Sequence, residues 1–188
     1  KVDQISLVLS DIPEDTALMT LIGPRGDLSG AESAKLDAYL ASGGSLLVAL
    51  DYAQNPMENL NGLLARWDIE VLNGIVLETR ANRLIAEFGD NPIVFAPFIA
   101  DHEALRPLTD AKMDPIFQVS IGLRRTEAKQ RQLEYFTLLR SSDDSRLRTN
   151  FSSEVSGSPD PIPDDLPGPI DVAVAVRQRN PDTYKPEG

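Results

Sequence analysis

The residues best placed to do chemistry in this 188-residue chain fall at the ends of two apolar runs. Arg25 sits in Gly23-Pro24-Arg25-Gly26, which closes the run 17–22, while Asp51 and Tyr52 follow the run 45–50 and lead to Asn55. In open parallel sheets, ligands sit in the crevice beyond the carboxyl ends of the strands. If both runs are neighbouring parallel strands, Arg25, Asp51, Tyr52 and Asn55 line one shallow pocket. A guanidinium there could take a carboxylate or a sugar phosphate, and the carboxylate could take a sugar hydroxyl or a metal ion. The plainer use of the same residues is structural, with Asp51 and Asn55 accepting free amides of a loop and a helix start.

Other constellations fall short of a reaction. Gly23, Gly26 and Gly30 match neither of the phosphate-cradling spacings, so ATP hydrolysis would need a separate subunit. The single histidine, His102, stands between Asp101 and Glu103, and adjacent side chains rarely converge on one ion, so a surface-loop role is expected for it. No serine sits in a G-x-S-x-G elbow. The chain has no cysteine, which removes disulfides, thiolate metal sites and cysteine nucleophiles together. With 29 acidic residues, chance pairs of carboxylates are unavoidable and do not argue for a hydrolase. The expectation is a binding module with no catalytic residues, no metal and no cofactor.

Charge narrows the partners. Eighteen basic against 29 acidic residues give a formal net charge of -11, the wrong sign for a surface that neutralises phosphate backbones. Nucleic acid is therefore excluded as an expected partner, and unaided adsorption to anionic headgroups is disfavoured. No stretch approaches the roughly 20 apolar residues of a membrane helix, so any membrane anchor is expected outside this piece, which opens at Lys1 and stops at Gly188.

The elements that must hold the crevice are well punctuated. Ser29 and Glu32 have capping-box spacing, Leu36, Tyr39 and Leu40 follow at helical intervals, and Gly43-Gly44 supplies a left-handed stop. Residues 45–50 then read as a strand covered on both faces. A second helix follows, with Asn55 expected as cap, Pro56 in the first position, and Leu60, Leu63, Leu64 and Trp67 on one face. Two strand–helix units predict a parallel sheet. Beyond residue 70 the chain turns β-rich. Asn73-Gly74 between 69–72 and 75–78 predicts a hairpin, and further strands are expected at 93–95, 117–123, 135–139 and 170–177, with Val172, Val174 and Val176 sharing a face. The segment 141–169 holds five prolines and six acids and is expected to be a long exposed loop. The whole chain, 1–188, reads as one domain.

The run Leu21-Ile22-Gly23-Pro24-Arg25-Gly26-Asp27-Leu28-Ser29, followed by Leu36-Asp37-Ala38-Tyr39-Leu40-Ala41-Ser42-Gly43-Gly44-Ser45-Leu46-Leu47-Val48-Ala49-Leu50-Asp51, resembles the GldG-like family. The resemblance continues through Asn59-Leu60-Asn61-Gly62-Leu63-Leu64-Ala65-Arg66-Trp67-Asp68-Ile69, and returns at 139–145 and 168–175. These proteins are auxiliary components of uncharacterised ABC-type transport systems and of gliding-motility machinery, with a related domain in an intraflagellar transport protein. The resemblance implies an α/β fold, a flavodoxin-like or amidotransferase-like sandwich with its parallel sheet in the N-terminal half. It implies a membrane-anchored protein whose domain lies on the periplasmic or extracytoplasmic side, beside an ABC permease and ATPase and other extracytoplasmic proteins. It carries over no catalytic residue. Two functions follow as expectations: a non-enzymatic protein–protein interaction domain, or a sugar- or peptide-binding domain built on the Asp51 crevice.

Overall fold

The structure is a computed structural model describing residues 2–53, 55–128, 130, 132–150 and 160–179. The chain divides into two compact units, Lys1–Arg66 and Trp67–Gly188.

In the first unit, strand β1 (Met19–Ile22) and strand β2 (Leu46–Ala49) pair in parallel, with Met19 opposite Leu46 and Ile22 opposite Ala49. Helix α1 (Gly30–Ala41) connects them and starts as its sequence predicts. The Ser29 amide donates to Glu32 Oε2 at 2.8 Å and the Glu32 amide to Ser29 Oγ at 3.3 Å, so two otherwise orphaned donors are satisfied reciprocally. Leu36 and Leu40 are buried on its inner face. The helix stops at Gly43, whose φ of +94° is open to glycine at no steric cost. Helix α2 (Glu58–Ala65) buries Leu60, Leu63 and Leu64. Asn55 does not cap it: the position before the helix is Met57, with no side-chain cap. Asp27, in the loop after β1, takes that role, accepting the amides of Asn59 at 2.9 Å and Leu60 at 3.1 Å.

The second unit is built on a seven-stranded sheet of order β10-β9-β3-β7-β11-β8-β5, antiparallel throughout. Its strands are β3 (Ile69–Leu77), β5 (Phe98–Ile99), β7 (Ile121–Arg125), β8 (Leu133–Arg140), β9 (Arg146–Arg148), β10 (Leu166–Pro167) and β11 (Asp171–Gln178). A separate pair joins β4 (Val94–Phe95) to β6 (Phe117–Gln118), and a short helix α3 spans Arg106–Asp110. Val76, Phe95, Leu105, Leu139, Leu147, Ile170 and Val172 form the core of this unit. Val172 is buried there, while Val174 and Val176 are half-buried behind register shifts between Asp171 and Val174.

The expected α/β class, a flavodoxin-like or amidotransferase-like sandwich, is therefore overturned. Among the described residues the parallel sheet has two strands only, and the larger sheet is antiparallel. A parallel sheet grows one strand per crossover helix, and the strand–helix alternation ends at α2. Thereafter the strands pair antiparallel, as in β8 with β11.

Two local expectations fail for tertiary reasons. Asn73-Gly74 is not a hairpin turn, because β3 runs straight through it, pairing with β7 and then with β9. A Cβ on Gly74 would lie 2.6 Å from the Arg148 carbonyl oxygen, so this glycine admits a neighbouring backbone, beside a register shift between Leu72 and Ile75. The expected exposed loop at 141–169 is in part core: Ser141, Ser142, Ser145, Leu147 and Arg148 are all buried. Within it, residues 151–159 lie outside the described residues.

Candidate functional site

The carboxyl ends of β1 and β2 meet as the crevice argument requires. The Gly23 amide donates to the Ala49 carbonyl at 2.9 Å, carrying the ladder one step past the strands. Gly23 has φ of +54°, and a Cβ there would stand 3.3 Å from Asp51 Oδ2, so the glycine loop and Asp51 are neighbours. The charged groups are not brought together to the same degree. Arg25, Asp51 and Asn55 are exposed and Tyr52 is half-buried. No ion pair joins Arg25 to Asp51 among the described residues. Exposed charges in water attract weakly, so this is an open bed of polar groups rather than an enclosed pocket.

Asp27 is the residue of this region that sequence reasoning missed. Burial pushes its carboxyl up, but amide donors from Asn59, Leu60 and Leu28 and the Asn59 side chain outweigh that and hold it below the ordinary aspartate value. No local signal could identify this role, since the helix amides it caps lie 32 and 33 residues away.

The opposite end of the same unit carries a cleft of about 510 Å³, lined among others by Asp11, Pro13, Glu14, Lys35, Tyr39 and Gly44. It lies at the amino ends of β1 and β2. Its polar groups are largely committed. Lys35 Nζ donates to the carbonyls of Leu7 and Ser10 and pairs with Asp11, each at 2.9 Å. The Tyr39 hydroxyl lies 3.1 Å from the Thr16 carbonyl and accepts the Ser45 amide at 3.2 Å. The ring of Tyr39 fills the space where a Cβ on Gly44 would stand.

In the second unit, His102 has a local role: its Nδ1 accepts the Ala104 amide at 3.2 Å, and its ring packs on Phe136 with centroids 5.0 Å apart. Among the described residues no cluster of three His, Asp or Glu is arranged to hold a metal ion. The charged side chains that are fully buried among the described residues of this unit, Asp68, Glu78 and Arg148, are engaged. Glu78, fully buried, accepts from the amides of Thr79, Arg80 and Ser142 and from the Ser142 hydroxyl at 2.6 Å. Asp68, also fully buried, takes Arg125 Nη2 at 2.9 Å, the Gln130 amide at 2.9 Å and the Thr126 hydroxyl at 3.3 Å. Arg148 donates to Asp165 at 2.8 Å and to the Asp160 carbonyl at 2.6 Å. Carboxylates saturated in this way pin loops to strands and have little capacity left to accept a substrate proton. On a more open face, Asp171 accepts the hydroxyls of Tyr135 at 3.2 Å and Thr137 at 2.9 Å, and burial together with that carboxylate pushes the Tyr135 phenol well above its usual range.

No helix among the described residues is long and apolar enough to cross a membrane. Compared with known proteins, residues 1–187 match the family model described as an ABC-type uncharacterized transport system. No curated protein matches the chain. Among solved structures, the chain is similar to one titled "mmIFT52 N-terminal domain", with TM-score 0.53 and 21% identity, over 77% of this chain and 64% of that one. The chain thus spans less than two thirds of that domain's length, and at this identity the likeness concerns the fold alone.

Proposed function

Because the chain belongs to the ABC-type uncharacterized transport system family, as an auxiliary component of such systems, we propose that it is a non-enzymatic protein–protein interaction domain that docks on permease or ATPase subunits. The observation that carries this reading is the outer face of the β1–β2 pair. Its residues alternate half-buried and exposed, and the exposed set includes Ile22 at 70% and Leu47 at 52%. Parallel strands ordinarily have both faces covered, and contiguous exposed apolar surface marks interaction sites. The saturated carboxylates of the second unit support the absence of catalysis. In this reading the protein is membrane-anchored, with the domain on the extracytoplasmic side, where other extracytoplasmic proteins are further candidates for contact. The finer placement beside the GldG-like members, with gliding motility as one setting, rests on the runs 21–29 and 36–51.

The test is purification of the full-length protein from detergent-solubilised membranes, followed by mass spectrometry. Stoichiometric permease and ATPase support the proposal; a protein recovered alone overturns it. The alternative, sugar or peptide binding, is expected from the sequence at the Asp51 crevice; the observation that favours it lies elsewhere, in the cleft of about 510 Å³ at the amino ends of β1 and β2, a volume within the range of roughly 300–1,000 Å³ that small-molecule sites occupy.

A further inference from the structure

Two arginines lie over one aromatic ring at the edge of the seven-stranded sheet, and a third stands across from it in the neighbouring strand. Arg80 precedes and Arg83 ends a single 3₁₀ turn (Ala81–Arg83), in which the Arg83 amide donates to the Arg80 carbonyl at 2.8 Å. Residues three apart in such a turn eclipse each other, which explains why both guanidiniums meet the same Phe98 ring. The Arg83 Cζ lies 4.3 Å from the ring centroid and the Arg80 Cζ 5.8 Å. Arg140 stands opposite Phe98 in the β5–β8 register and so emerges on the same face. The turn is tied down from behind, where the Ala96 amide donates to the Arg83 carbonyl at 2.8 Å.

Two of the three charges are spoken for. Arg80 Nε donates to Asp144 at 2.9 Å and Arg140 Nη2 to Asp171 at 3.2 Å. Arg83 differs: its Nε is buried without a hydrogen-bond partner, and no ion pair reaches its guanidinium among the described residues. In a chain with a formal net charge of -11, an arginine held over a ring with no carboxylate of its own calls for an explanation.

We propose that Arg83, stacked on Phe98 between Arg80 and Arg140, is a binding site for a carboxylate group. The planar fork of a guanidinium matches a carboxylate through two parallel N–H donors, and stacking on the ring removes the freedom that would otherwise be lost on binding. With Arg80 held by Asp144 and Arg140 by Asp171, Arg83 is the guanidinium of the three without a carboxylate, and one carboxylate matches its single charge. A phosphate dianion adds a second charge that those aspartates repel, so carboxylate is the favoured chemistry. This inference does not depend on docking to transporter subunits.

The test is titration of the ¹⁵N-labelled 188-residue chain, followed at the backbone amides of Ala96, Phe98 and Ile99. The probes are glutarate, an acetylated and amidated tetraglutamate peptide, and inorganic phosphate. The expected result is a saturable shift with the carboxylates, weaker with phosphate, and lost in Arg83→Lys, which keeps the charge but not the fork. A response to glutarate and peptide alike assigns the site to free and protein-borne carboxylates; a response to peptide alone assigns it to acidic segments of a partner protein. Flat titrations with both carboxylates overturn the proposal. So does an undiminished response in Arg83→Lys, or one in which phosphate exceeds the carboxylates. A thermal melt of Arg83→Lys matching the parent chain keeps a lost response from being read as unfolding.

Discussion

The guanidinium of Arg148, fully buried on β9, grips both oxygens of Asp165, with Nε to Oδ1 at 3.1 Å and Nη2 to Oδ2 at 2.8 Å. This pair ties residues 160–165 to β9, and the Asp165 carboxylate also accepts the Ile162 amide at 3.1 Å. Breaking a buried pair by removing one partner strands the other charge, at a cost of about 3–5 kcal/mol. Asp165→Leu is therefore expected to destabilise the chain by that amount in urea unfolding followed by Trp67 fluorescence. The double variant Arg148→Met with Asp165→Leu is expected to recover most of the loss. A double variant as unstable as the single one would mean that the segment is held by something else.

The same carboxylate sets a pH dependence. Burial pushes Asp165 up, but the Arg148 bond, the Ile162 amide and the nearby guanidinium charges outweigh it and hold the group below its ordinary value. A group whose folded value is depressed contributes stability that is fully present above the unfolded value, near 4 for aspartate, and is lost as pH falls through the folded value. Parent and Asp165→Asn chains are thus expected to differ most above about pH 5 and to converge on acidification. Thermal melts across that range check it; a gap that widens toward low pH contradicts the sign.

Gly74 distinguishes a through-going strand from a hairpin. A methyl group at this position meets the Arg148 carbonyl oxygen at 2.6 Å and the Leu147 side chain at 3.0 Å. Gly74→Ala is expected to cost about 1–3 kcal/mol, the usual range for forced overpacking. Gly26→Ala, which meets nothing within 4 Å, is expected to be neutral or slightly stabilising. Urea midpoints for the two variants decide the matter, and equal midpoints would contradict the close approach of β9.

Ile22 and Leu47 separate stability from interaction. Both are exposed on the outer face of the two-stranded sheet, so Ile22→Thr with Leu47→Thr is expected to shift stability by no more than about 0.5 kcal/mol per site. Recovery of transporter subunits with the full-length protein is expected to fall. Unchanged recovery with an unchanged melt would remove this face from the proposed interface.

What the sequence determined by itself is mostly local. The capping box of Ser29 and Glu32, the glycine stop at Gly43 and the apolar stripe of α1 involve partners within a few residues, so spacing alone specifies them. The meeting of the Gly23 loop with Asp51 followed from two strand–helix units in sequence, and the family resemblance from the order of the motifs. Tertiary structure decided the rest. Asn73-Gly74 has the composition of a turn, yet pairing with β7 and β9 keeps β3 extended through it. Asn55 has the composition of a cap, yet Asp27 reaches the helix amides first. Arg148, Asp68 and Glu78 are enclosed by partners that include Asp165, Arg125 and Ser142, which lie 17, 57 and 64 residues away in sequence. Burying a charge is favourable only when its partners are in place, and which partners arrive depends on how the strands pair, which no short window of sequence contains.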